Sequence, residues 1–118
     1  MSLTASELLN RWVETVETCQ IDQVTSLYAT DGVLIPTVSN QIRYNHSEIS
    51  DYFDHFLGKK PVCVIDSFHD FVKADLMVIS GIYTFTFEDG SVAKARYSFL
   101  FSAIDSLIYQ HHSSLLPE

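Results

Sequence analysis

Two histidines and two serines stand in a row near the end of the chain, in Tyr109-Gln110-His111-His112-Ser113-Ser114. Imidazole exchanges protons near neutral pH, and hydroxyls both donate and accept hydrogen bonds. Such a run can hold an oxygen-bearing ligand and handle a proton. Leu107-Ile108-Tyr109 leads into it with residues that favour strands. Alternate side chains of a strand share a face. Strict alternation therefore groups Ile108, Gln110, His112 and Ser114, with Leu107, Tyr109, His111 and Ser113 opposite them. Either face then carries a His-Ser pair two residues apart. The plainer alternative is a polar tail outside the fold.

The elements that must position this run are readable in order. Thr4-Ala5-Ser6-Glu7 has capping-box spacing, and Leu8, Leu9, Trp12, Val13 and Val16 form one stripe, which predicts a helix over 5–18. Asp22 can cap a second helix over 22–28, with Val24, Leu27 and Tyr28 apolar and Asp31-Gly32 turning the chain. Val33-Leu34-Ile35 starts a strand that Pro36 cuts, and Gln41-Ile42-Arg43-Tyr44 can return beside it. Asn45 or Ser47 caps a helix over 47–57, whose inward stripe is Ile49, Tyr52, Phe53, Phe56 and Leu57, with Gly58 as its C-cap. From Pro61 the period becomes two. Four antiparallel strands are expected near 62–72, 76–88, 91–103 and 107–114, with Asp89-Gly90 as a hairpin turn.

This order predicts one α+β domain with helices on one face of a mostly antiparallel sheet. Ala93, Ala95, Tyr97, Phe99 and Phe101 line one face of the third long strand, against Lys94, Arg96, Ser98 and Leu100 on the other. Strands this apolar suggest that the second face meets another copy, so a homodimer is expected.

Composition narrows the function. Seven Lys+Arg against fifteen Asp+Glu give a net charge of −8 and no basic patch, which speaks against nucleic acid and anionic membrane surfaces as partners. No apolar run reaches membrane-spanning length, and the first residues lack the pattern of a secretory signal, so a cytoplasmic protein is expected. Cys19 and Cys63 have no CxxC spacing, in keeping with two free thiols. The metal-ligand pattern is weak. His111 and His112 point to opposite faces of a strand, His46 and His55 are nine apart, and His69 stands alone.

The helical first third ending in Leu27-Tyr28-Ala29-Thr30-Asp31-Gly32-Val33-Leu34, the four-strand meander and the closing His-His-Ser-Ser together resemble the nuclear transport factor 2-like cone. That fold is shared by SnoaL-like enzymes and by the association domain of calcium/calmodulin-dependent protein kinase II. Five ordered segments are similar, more narrowly, to the iota-class carbonic anhydrases. They are Leu34-Ile35-Pro36-Thr37-Val38-Ser39-Asn40, the helix 49–57, Gly81-Ile82-Tyr83-Thr84-Phe85-Thr86-Phe87, Ala95-Arg96-Tyr97-Ser98-Phe99 and His111-His112-Ser113-Ser114-Leu115-Leu116-Pro117-Glu118. The departure lies at Ile104-Asp105-Ser106-Leu107, where relatives of this cone often carry Gly-x-Trp.

The resemblance implies a carbonate dehydratase, a lyase that interconverts carbon dioxide and bicarbonate. It also implies a cone of N-terminal helices on a curved sheet. The family includes metal-free and metal-dependent versions; no cofactor is expected here, with zinc or manganese as the alternative. A metal-free site would rest on Thr37, Tyr52 and Ser114, with His112, on the same face as Ser114, carrying protons. Arg96, Tyr83, Ser113, His111 and Tyr44 are candidate substrate-binding groups. Each has a plainer role open to it: Tyr52 as a core tyrosine, Thr37 as a turn former, Arg96 as a partner for surplus carboxylates, Ser113 as a sheet-end cap. Rival functions are a SnoaL-like isomerase or cyclase on a small apolar substrate and a non-catalytic association domain.

Overall fold

The computed structural model describes residues 3–37 and 39–117; Val38 and Glu118, both in the quoted segments, lie outside the described residues. In chain order the elements are α1 (Ala5–Glu17), α2 (Ile21–Thr25), β1 (Tyr28–Ile35), α3 (His46–Phe56), a 3-10 turn (Leu57–Lys59), β2 (Val62–Lys73), β3 (Leu76–Thr86), β4 (Val92–Ser102) and β5 (Ile108–Leu115). The strands form one sheet in the order β1-β5-β4-β3-β2, antiparallel except for β1 against β5. The expected α+β architecture is observed: helices pack on one face of a curved, mostly antiparallel sheet.

Local chemistry explains most boundaries. The Thr4 hydroxyl accepts from the Glu7 amide at 3.1 Å while the Glu7 carboxylate accepts from the Thr4 amide at 2.9 Å, so the capping box starts α1. The α1 stripe Ala5, Leu8, Leu9, Trp12 and Val16 is buried, and each large member contributes roughly 1.5–3 kcal/mol by leaving water. The Asn45 side chain caps α3 by accepting from the Glu48 amide at 2.9 Å. The buried stripe of α3 is Ile49, Tyr52, Phe53 and Phe56. Beneath the helices, Tyr83 and Phe85 of β3 and Ala95, Tyr97, Phe99 and Phe101 of β4 fill the inner face of the sheet.

Curvature has a local cause. Ile65 pairs with Tyr83 and Ser67 with Ile82, so Asp66 is an extra residue that bends β2. The bend brings the Ser67 carbonyl against Gly81, where any Cβ would collide with it, and lets Tyr97 Oη donate to that carbonyl at 2.8 Å.

Four expectations need correction. The second helix ends at Thr25, with Gln20 rather than Asp22 at its N-cap, and Tyr28 opens β1. Asp31-Gly32 lies inside β1, where the register with β5 breaks between Tyr28 and Val33. Pairing of Tyr28 with Ile108 overrides the helical spacing of Val24, Leu27 and Tyr28. The strand expected at 41–44 shrinks to one antiparallel bridge between Leu34 and Arg43. The turn after α3 closes at left-handed Lys60 (φ 50) and not at Gly58. Among the described residues no helix is long and apolar enough to cross a membrane.

Candidate active site

The face that each residue of β5 presents is decided one turn of the pleat earlier. Ile108 pairs with Phe101, yet Gln110 pairs with Leu100, so Tyr109 is an extra residue and the alternation shifts by one. Ile108 and His111 therefore both point inward, which strict alternation forbids. His111 lies opposite Phe99 and Ser113 opposite Tyr97, with 3% and 4% of their surface exposed. His112 lies opposite Ser98, and Ser114 opposite Arg96, on the outer side of the sheet. The placement of His112, Ser114 and Arg96 in the pocket is thus corrected. Tyr44 is 59% exposed and also stands apart from it. Thr37, Tyr52, Tyr83, His111 and Ser113 are brought together.

Four of these five side chains, all but Tyr52, form a continuous hydrogen-bonded chain together with Trp12 and Tyr28. Trp12 Nε1 donates to Tyr28 Oη at 3.1 Å. Tyr28 Oη lies 2.8 Å from His111 Nδ1, and His111 Nε2 lies 3.2 Å from Tyr83 Oη. Tyr83 Oη donates to Ser113 Oγ at 2.6 Å, and Ser113 Oγ is hydrogen-bonded to Thr37 Oγ1. An indole N–H can only donate, which orients the whole series. Tyr28 accepts from Trp12, so its own proton goes to Nδ1. A neutral His111 then carries its proton on Nε2 and donates to Tyr83. Tyr83 donates to Ser113, Ser113 to Thr37, and the Thr37 proton is left for the pocket.

His111 stays neutral. Burial pushes its pKa down from 6.5 to about 3, and neighbouring His112 adds a smaller push the same way. Its ring stacks on Phe99 at 3.9 Å between centroids and meets the edge of Trp12 at 5.2 Å. Burial likewise raises Tyr28 and Tyr83 well above the usual phenol range. Tyr52 is pushed up to about 12 by burial, against an opposing pull from Arg43. All three phenols are therefore proton donors at neutral pH. Tyr52 has no hydrogen-bond partner for its hydroxyl among the described residues.

Thr37 and Tyr52 border a cavity of about 10 Å³, walled by Trp12, Leu34, Phe53, Phe56 and Phe85 with Tyr83, His111 and Ser113 at one side. That is room for about one water-sized group. Among the described residues no three His, Cys, Asp or Glu side chains stand together where they could hold a metal ion.

Residues 4–117 match the family model of the calcium/calmodulin dependent protein kinase II association domain. The chain belongs to this family. Among solved structures, this association-domain chain is similar to a candidate calcium/calmodulin dependent protein kinase II association domain from Xanthomonas campestris. The two are 41% identical with a TM-score of 0.89, over 96% of this chain and 86% of that one. A candidate dehydratase of the NTF2-like family from Streptomyces avermitilis shares the fold at 11% identity and a TM-score of 0.80, over 98% and 95% of the two chains. So does a protein with a ketosteroid isomerase-like fold from Catenulispora acidiphila, solved with trimethylamine. It is 13% identical with a TM-score of 0.68, over 94% and 85%. No curated protein matches the association-domain chain.

Two members of its polar chain, Trp12 and Tyr28, escaped the sequence reading because both sit on apolar stripes. The available signal was chemical: a buried indole or phenol needs a polar partner.

Proposed function

We propose that the chain is an iota-class carbonic anhydrase that interconverts carbon dioxide and bicarbonate using hydroxyl side chains and no metal. The observation that carries this reading is the cavity. It is small and apolar-walled, and two hydroxyls, Thr37 and Tyr52, are left with protons to donate into it. In the hydration direction a water oxygen attacks carbon, the C–O π electrons move to oxygen, and the proton of the water leaves to solvent. Thr37 and Tyr52 donate to the oxygen that gains charge, while Ser113 holds Thr37 in the donating orientation. Ser113 takes the place first given to Ser114. His111, held near a pKa of 3, orients the chain and is not a base at neutral pH. The cavity of about 10 Å³ holds one water-sized group, so carbon dioxide fits beside that water only as Tyr52 and Phe56 yield, and a fused ring demands far more room. Carbon dioxide hydration, followed by stopped-flow pH indicator on chelator-stripped protein, tests the reading. Activity in the stripped protein supports it, and activity only with added zinc or manganese keeps the class and removes the hydroxyl mechanism.

A second reading is an assembly domain, favoured by the family itself. Its surface of contact would be the outer face of the sheet, which also suits the proposed homodimer. Sedimentation of wild type and Thr37→Ala separates the two: an assembly role leaves oligomer size as the property that matters, with no hydration activity to lose.

A further inference from the structure

A second cavity, of about 160 Å³, opens on the far side of Tyr52, lined by Ser39, Arg43, Tyr52, His55, Phe56 and Lys59. Tyr52 and Phe56 also line the inner cavity, so these two side chains are the partition between the spaces. The chemistry of the outer lining is one-sided. Fifteen acidic side chains outnumber seven Lys+Arg over the whole chain, yet none of the acids lines this cavity, and two of the cations do. A positive mouth on a negative molecule concentrates anions.

Some of the donors are uncommitted. Arg43 Nη1 donates to the Glu48 carbonyl at 3.0 Å and pairs with Asp51 Oδ2 at 2.8 Å, which fixes the guanidinium and offsets part of its charge, while its buried Nε finds no hydrogen-bond partner among the described residues. The same guanidinium lies 5.9 Å from the centre of the Tyr52 ring. Lys59 Nζ rests 5.5 Å from the Phe87 ring and forms no ion pair among the described residues. Ser39 Oγ accepts from the Gln41 amide at 3.2 Å, which leaves its own proton to donate. The Tyr52 phenol, kept protonated by burial, is a further donor on the shared wall.

We infer that this outer cavity is an oxyanion subsite, with Arg43 and Lys59 supplying charge and Tyr52 serving both cavities. A planar carboxylate-like anion matches a guanidinium fork beside hydroxyl donors. On the carbon dioxide reading, which this identification of the ligand rests on, the anion is bicarbonate. It steps past Tyr52 between the cavity where it forms and the one from which it leaves.

The test is a ¹H–¹⁵N NMR titration of the full chain with sodium bicarbonate and, separately, with sodium formate, against sodium chloride at equal ionic strength. Saturable shifts at Arg43, His55 and Lys59 with both oxyanions are expected. Lys59→Glu should weaken formate binding by about tenfold, the worth of one charge-assisted hydrogen bond, and Lys59→Gln by less. Thr37→Ala, in the inner cavity, should leave formate binding intact. Non-saturating shifts overturn the subsite, as do equal shifts with chloride, or binding lost in Thr37→Ala and kept in Lys59→Glu. Formate binding without hydration activity would keep the subsite and sink the carbon dioxide reading; activity without formate binding would do the reverse.

Discussion

β5 carries two His-Ser pairs of the same composition, one residue out of step. His111 and Ser113 are 3% and 4% exposed and belong to a chain of hydrogen bonds that begins at Trp12. His112 and Ser114 face Ser98 and Arg96 across the outer side of the sheet. Sequence chemistry does not separate the pairs. What separates them is dielectric and company. Inside, an imidazole is stripped of water, held neutral and given one tautomer by its neighbours, so that it transmits orientation. Outside, the same group keeps its solvent. The lesson concerns how a residue type becomes a function: burial of both nitrogens turned a proton carrier into a rigid connector.

The comparison breaks most visibly in activity. Thr37→Ala with Ser113→Ala should lower carbon dioxide hydration by about 10²–10³-fold, the usual cost of losing a preorganised donor, while Ser114→Ala leaves it unchanged. Equal losses in stopped-flow would erase the distinction between the faces. Stability should follow the same split. His111→Phe leaves the buried Tyr28 proton without an acceptor and takes one donor from Tyr83, and should cost about 2–4 kcal/mol in urea denaturation; His112→Phe should stay within about 0.5 kcal/mol.

A pH series sharpens the contrast. His111 has a folded pKa of about 3 against 6.5 for the free group, so below 6.5 the unfolded chain binds a proton that the folded one refuses. The contribution is complete above pH 6.5 and is lost as pH falls toward 3, at up to about 1.4 kcal/mol per pH unit. Asp51, held low by its hydrogen bond from Arg43, and Asp89 and Asp105, held low by theirs from Ser91 and Tyr109, add a loss of the same sign at the acid end. Urea midpoints between pH 5 and 6.5 isolate the histidine, and His111→Phe should flatten the slope there. Among the buried pair's partners, a smaller effect than that of His111→Phe is expected from Tyr28→Phe, which removes the donor to Nδ1. It should cost about 1 kcal/mol and change the ¹⁵N shifts of His111 from a single Nε2–H form to a mixture. A merely space-filling Tyr28 would leave those shifts alone.

Much of the fold was legible before any coordinates. The capping box at Thr4-Glu7, the stripes of α1 and α3 and the period-two run after Pro61 are local signals, and the structure follows them. Tyr28 shows where local signals stop. Its spacing with Val24 and Leu27 is helical, yet parallel pairing with Ile108, distant in sequence, made it the first residue of β1. Of the candidate site, Thr37, Tyr52, Tyr83, His111 and Ser113 were named from the sequence, whereas His112, Ser114, Arg96 and Tyr44 were placed with them and are not.

The chain by itself determined the residue types: the hydroxyls, the tandem His-Ser pairs and the apolar stripes that drive helices onto a sheet. The tertiary structure decided which members of those pairs face inward. The physical reason is the single extra residue at Tyr109. A bulge has no period and leaves no mark in composition, because it exists only as a mismatch between β5 and its partner β4.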